Sequence, residues 1–155
     1  MVPVKSLEVV ARDSEAHLIS LPAKAGDEFT IRYLHSVARR SVDESFEIRA
    51  DGVLNLISTE WDMNGAGLPY EPEGTMVFTM DKGRYILTNI NRLFPEIVQA
   101  VGTVAKHEIV YTGRSFPLEK VTPSGTAVRI RTAATPRYMN WYDNIRWRLL
   151  SHPSP

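Results

Sequence analysis

Apolar residues recur mainly with period two in short runs, and clusters of glycine, proline and aspartate interrupt them about every ten residues. Alternation of this kind puts successive side chains on opposite faces of a strand, so the chain reads as a series of hairpins. Leu7 to Ala11 and His17 to Leu21 flank Asp13-Ser14-Glu15, and a loop through Gly26 leads to a strand over Glu28 to Ser36. Ser41 to Arg49 and, beyond the turn Ala50-Asp51-Gly52, Val53 to Trp61 continue the series. Met76 to Met80 and Arg84 to Thr88 are joined by Asp81-Lys82-Gly83, and Lys106 to Tyr111 and Ser115 to Leu118 are joined around Gly113. Pro123-Ser124-Gly125 introduces a last strand, Thr126 to Thr132. Asn91 to Gly102 admits two readings: a helix begun by Pro95 through Glu96 and Val98, or a strand over Ile97 to Val101, which is preferred.

After Pro136 the period changes. Tyr138, Trp141, Tyr142, Ile145 and Leu149 fall on one helical face, and this segment is the single helix the pattern predicts. Sequential antiparallel hairpins must close or stack to bury one face. The expected fold class is therefore all-β, an antiparallel β-sandwich or small barrel of successive hairpins with one C-terminal helix. The β domain is expected over residues 1–135, and the aromatic helix with a frayed tail over 136–155.

Composition narrows the partners. At 155 residues with 43% hydrophobic content the chain can bury a core. Eighteen basic residues balance eighteen acidic ones, so no net field draws it to a nucleic acid or an anionic membrane over long range. With no cysteine there is neither disulfide, nor thiolate metal site, nor thiol nucleophile. No apolar run reaches the roughly 20 residues that span a bilayer, and Met1-Val2-Pro3-Val4-Lys5-Ser6 lacks the apolar core of a signal peptide.

One hairpin differs from the rest. Phe29, Ile31, Tyr33 and His35 share a face, as do Val42, Glu44, Phe46 and Ile48 on the next strand. A turn centred on Arg39-Arg40 sets His35 opposite Glu44 and Tyr33 opposite Phe46, so the apolar face ends in a His/Glu pair. Such a pair is a general base oriented by a carboxylate, part of a cation site, or a hydrogen-bonded cap on the core. Were His107 to converge on it, two imidazoles and a carboxylate would make an open three-ligand metal site. Ser36 adjoins His35 on the opposite face, and no nucleophile elbow or Ser-His-Asp set is present.

The segment Trp61 to Gly74 carries Gly65-Ala66-Gly67-Leu68-Pro69-Tyr70, small residues that let backbone approach a ligand, or that simply make a tight crossover. It lacks the lysine and the strand-to-helix context of a phosphate loop.

Tyr33-Leu34-His35-Ser36-Val37, Glu44 and Phe46, Gly65 to Pro69, Glu73-Gly74, Asn91-Arg92 with Pro95, Val101-Gly102, His107 and Pro123 to Arg131 together resemble the family called domain of unknown function 1850. The resemblance covers Leu7 to Thr132. It implies an extracytoplasmic protein working beside a tripartite solute transporter of the TAXI type, and no reaction. The expected ligand-binding residues are Tyr33, His35, Ser36, Glu44, Gly65, Ala66, Gly67, Leu68, Pro69, Tyr70 and His107, with no catalytic residue, metal ligand or cofactor assigned.

The expected function is a non-enzymatic accessory module that binds a transporter subunit or a small-molecule ligand. The alternative is a metal-assisted or acid/base enzyme centred on His35 and Glu44. The aromatic tail, through Trp141, Ile145 and Leu149, packs on its own barrel or contacts a membrane surface or another chain.

Overall fold

The computed structural model describes residues 3–35, 37, 39–62, 72–134, 148–149 and 151–155. Strands β1 (Ser6–Ala11) and β2 (His17–Pro22) form a hairpin. The chain then crosses at Gly26, where φ is +89°, into β3 (Glu28–Leu34), β4 (Ser41–Ile48) and β5 (Leu54–Asp62). A further hairpin, of β6 (Val77–Asp81) and β7 (Arg84–Phe94), turns at Lys82 and Gly83, both with positive φ, the conformation of a type I′ two-residue turn. There follow β8 (Ile97–Ala100), β9 (Glu108–Tyr111), β10 (Arg114–Pro117), a 3-10 turn at Leu118–Lys120, β11 (Ala127–Ala133) and β12 (His152–Pro153).

These strands make two antiparallel sheets. One has the order β2-β1-β11-β8 and the other β12-β10-β9-β3-β4-β5-β7-β6. Of the two architectures expected, a sandwich fits. Leu7, Val9, Ile19, Leu21, Val128 and Ile130 of the smaller sheet face Phe29, Ile31, Phe46, Ile48, Leu54, Leu87 and Ile109 of the larger one, all buried in one cluster. Phe29 stacks on Phe46 with centroids 5.3 Å apart, and Phe94 meets Phe46 edge-on at 6.1 Å, the offset geometries that aromatic quadrupoles favour. Tyr111 ties the layers at their periphery by donating to the Pro22 carbonyl at 3.0 Å and to Asp27 Oδ2 at 2.9 Å.

The predicted C-terminal helix is corrected. Tyr138, Trp141, Tyr142 and Ile145 lie outside the described residues, and helical backbone among the described ones is confined to the 3-10 turn and residues 148–149. Leu149, expected on the packed stripe, is 80% exposed. The chain end is extended instead: His152 pairs with Ser115, Pro153 with Arg114, and the Ser154 amide donates to the Gly113 carbonyl at 3.2 Å. The Arg114 guanidinium holds the approach to this strand through the carbonyls of Arg148 and Ser151. Apolar spacing reports a helical face but knows nothing of an open backbone edge on β10, and that edge takes the last residues as a strand.

The ambiguous segment resolves as extended. The strand expected over Arg84 to Thr88 runs on to Phe94, Pro95 and Glu96 make a bend, and Ile97–Ala100 joins β11 in the other sheet. No helix starts at Pro95. Among the described residues no helix is long and apolar enough to cross a membrane.

Candidate functional site

The distinctive hairpin forms in a register four residues from the expected one. Tyr33 pairs with Val42, Ile31 with Glu44 and Phe29 with Phe46. His35 does not face Glu44, and Tyr33 does not face Phe46. The cause is the turn: Leu34–Ser41 is the last ladder pair, His35 N donates to the Arg40 carbonyl at 2.9 Å, and Arg39 N donates back to the His35 carbonyl at 2.8 Å. Arg39 adopts φ +49°, which lets the chain reverse earlier than a turn centred on Arg39-Arg40 allows. His35 is left exposed at this loop. An even shift preserves facing, so Phe29, Ile31 and Tyr33 still share the core side with Val42, Glu44 and Phe46.

Tyr33 takes the place expected of His35. Its hydroxyl donates to Glu44 Oε1 at 3.4 Å, at the long end of the hydrogen-bonding range. Its ring stacks on His107, centroids 5.2 Å apart at 29°. His107 precedes β9, next to β3 in the larger sheet, while its Nε2 lies 2.8 Å from the side-chain nitrogen of Gln99 on β8 in the smaller one. The same Gln99 nitrogen donates to the Ala100 carbonyl at 3.0 Å. A nitrogen facing a carbonyl oxygen must be the amide donor, so its second hydrogen points at His107 Nε2, which accepts. His107 is thus the neutral tautomer with its proton on Nδ1, an atom that is buried with no hydrogen-bond partner.

Burial acts on both titratable members in opposite senses. Desolvation pushes the Glu44 carboxyl above its usual range, only partly offset by the Tyr33 hydroxyl and the positive charge of Arg92. Desolvation pulls the His107 imidazole below its usual value. Both shifts favour the uncharged form, as expected of half-buried groups.

Of the expected site residues, the structure brings together Tyr33, Glu44 and His107, and it sets His35 apart. Ser36, Gly65, Ala66, Gly67, Leu68, Pro69 and Tyr70 lie outside the described residues. His35, Glu44 and His107 do not converge as a metal-binding group, and among the described residues no set of three or more His, Asp and Glu side chains does. Gln99 and Arg92 were not legible as site residues. Gln99 sits opposite Val128, a buried core residue, so its inward direction depends on which strand β8 joins.

The opposite face of the larger sheet is polar for structural reasons. Arg32 grips Asp43 through two bonds of 2.9 Å and lies 3.8 Å from Glu108, and Arg84 pairs with Glu60 and donates to Ser41 at 3.1 Å. These are cross-strand charge pairs that hold register.

No curated protein and no solved structure matches the chain. A family model does match, over residues 29–118, a shorter span than the resemblance from Leu7 to Thr132 but one that contains Tyr33, Glu44, Arg92, Gln99 and His107. Since that match covers more than half of the sequence, the chain belongs to the family described as Domain of unknown function (DUF1850).

Proposed function

We propose that this protein is a non-enzymatic binding module, and that Tyr33, Glu44, Gln99 and His107 are its recognition groups. The observation that carries the reading is the junction of the two sheets through Tyr33, whose hydroxyl meets Glu44 while its ring meets His107, itself held by Gln99. Half-buried hydrogen-bonding groups among aromatic walls suit selective capture of a polar partner, because each bond is stronger where water is partly excluded. In line with the resemblance, the partner is a subunit or ligand of a TAXI-type tripartite transporter, and the place of work is outside the cytoplasm.

Acid/base or metal-assisted chemistry at Glu44 is the alternative. It draws on the same desolvated carboxylate, but the register gives Glu44 a tyrosine rather than His35 as neighbour.

Co-purification of the tagged chain with the subunits of such a transporter tests the proposal. Tyr33→Phe and His107→Ala are expected to reduce recovery at least tenfold, and Arg49→Gln, remote from the cluster, to leave it unchanged. Equal recovery with all three variants would sink the reading.

A further inference from the structure

The sheet is irregular at one place, and the irregularity decides where Arg92 points. From Leu56 to Ser58 is two steps along β5, but their partners Arg92 and Thr88 are four steps apart on β7. The two additional residues fall in the segment where Asn89 and Asn91 adopt φ +56° and +54°, the left-handed region that asparagine enters more readily than other L-residues bearing a side chain. β5 is itself bulged against β4, since Ser45 pairs with Ser58 and its neighbour Phe46 with Leu56. Asn91 is pinned by Asn55, a buried residue whose side-chain amide donates to Asn91 Oδ1 at 3.2 Å.

Together the bulges change the facing of β7. Leu87 points into the core, and in an uninterrupted strand Arg92 would share the outer face with Arg84 and Thr88. Instead it stands directly across from Leu56, which is 4% exposed, and two residues from Phe94, whose ring packs on Phe46. Its side chain is nevertheless exposed, so the guanidinium reaches solvent from the core-facing side of the sheet. The same segment seats Ile90 in the core between the two asparagines, and bulges that re-aim a neighbouring side chain are over-represented beside sites.

Glu44 shares that core-facing side, two residues along β4 from Phe46. The strands of Glu44 and Arg92 are separated by β5 alone, about 10 Å across the sheet, and Arg92 is level with Phe46, two residues or about 7 Å along β4 from Glu44, a span that two long side chains can narrow. We infer that Arg92 and Glu44 are the two poles of a site for a small zwitterion, its carboxylate on the guanidinium and its ammonium on Glu44 beside the Tyr33 hydroxyl. This rests on the binding-module reading and names its ligand class.

The chemistry follows from the groups. A guanidinium has five donors in a fixed fork that matches a carboxylate. A half-buried carboxylate attracts an ammonium more strongly than a solvated one. A ligand with only a negative charge meets repulsion at Glu44, and one with only a positive charge meets it at Arg92. Arg92 lies near enough for its charge to act on Glu44, partly offsetting the desolvation that raises the carboxyl's pKa.

The test is calorimetric titration of the full chain with the common α-amino acids, each compared with the carboxylic acid lacking its amine and the amine lacking its carboxylate. At least one amino acid is expected to bind, with both truncated counterparts at least tenfold weaker. Glu44→Gln and Arg92→Gln should each weaken it tenfold or more, Arg92→Lys less than Arg92→Gln, and Arg49→Gln should have no effect. Circular dichroism establishes that the variants are folded. Equal binding of a truncated counterpart, insensitivity to Arg92→Gln, or no binding by any amino acid overturns the zwitterion site. The binding module itself stands or falls separately, on the co-purification of Tyr33→Phe and His107→Ala.

Discussion

The Tyr33 hydroxyl lies 3.4 Å from Glu44 Oε1 although the two residues are not ladder partners, Tyr33 standing opposite Val42 and Glu44 opposite Ile31. The contact is a diagonal across two antiparallel strands, within reach because a tyrosine side chain is long enough to lean over its neighbour. It makes the carboxylate of a core-facing strand the acceptor of a neutral donor.

Glu44 therefore gives stability a pH dependence of definite sign. Its folded pKa is raised, so its contribution is fully present below the ordinary carboxylate range and declines as pH rises through the raised value. Glu44→Gln, neutral throughout, should gain relative to the unsubstituted chain as pH rises above the ordinary carboxylate value of about 4. Melting temperatures of both proteins across that range measure it, and a difference that stays constant or shrinks would contradict burial as the cause.

His107 has the reverse dependence in the neutral range. Its folded pKa is depressed, so its contribution is present above the ordinary imidazole value, about 6.5, and is lost as pH falls through the folded value. His107→Phe keeps a ring against Tyr33 and should flatten the decline in stability below about pH 6.5. An NMR titration of the His107 ring protons reads the depressed pKa directly.

Asn91→Val should destabilise by about 1–2 kcal/mol, since a β-branched residue resists positive φ and the bond from Asn55 is lost. Asn91→Gly, which tolerates that backbone, should cost less despite losing the same bond. Urea denaturation of the pair separates backbone strain from the hydrogen bond. Equal losses would mean that the left-handed turn is not what the asparagine supports.

Gly52→Ala should cost about 2 kcal/mol, through two effects that can be told apart. Its φ is +83°, and an added Cβ would lie 2.8 Å from Thr132 Oγ1, whose hydroxyl donates to the Gly52 carbonyl at 2.8 Å. Adding Thr132→Ala should relieve the collision but not the backbone strain, so denaturation midpoints for the double variant should recover only part of the loss.

Period-two alternation is enough to place β1 to β6, the first half of β7 and β9 to β11, because each is a short amphipathic run bounded by turn residues, whereas the end of β7 and β8 fall in the segment that admits a helix as well as a strand. The same alternation put Tyr33 and Glu44 on one side with Phe29 and Phe46, and that survived a four-residue shift in register. Register itself depends on the turn, and the positive φ of Arg39 carries no glycine or Asn-Gly signal. The aromatic spacing after Pro136 predicts a helix, while the described chain end pairs with β10, an edge that exists only once β9 and β10 have joined β3.

The local sequence by itself determined the hairpins, their facing and the presence of a tyrosine, a glutamate and a histidine able to share a site. Only the tertiary structure decided which of them meet. His107 reaches Tyr33 because β9 adds beside β3, Gln99 reaches His107 because β8 pairs with β11 in the other sheet, and Arg92 turns inward because β5 and β7 are bulged together. Each of these is a contact between residues distant along the chain, set by strand order and bulge position, and neither is encoded in the alternation of any single strand.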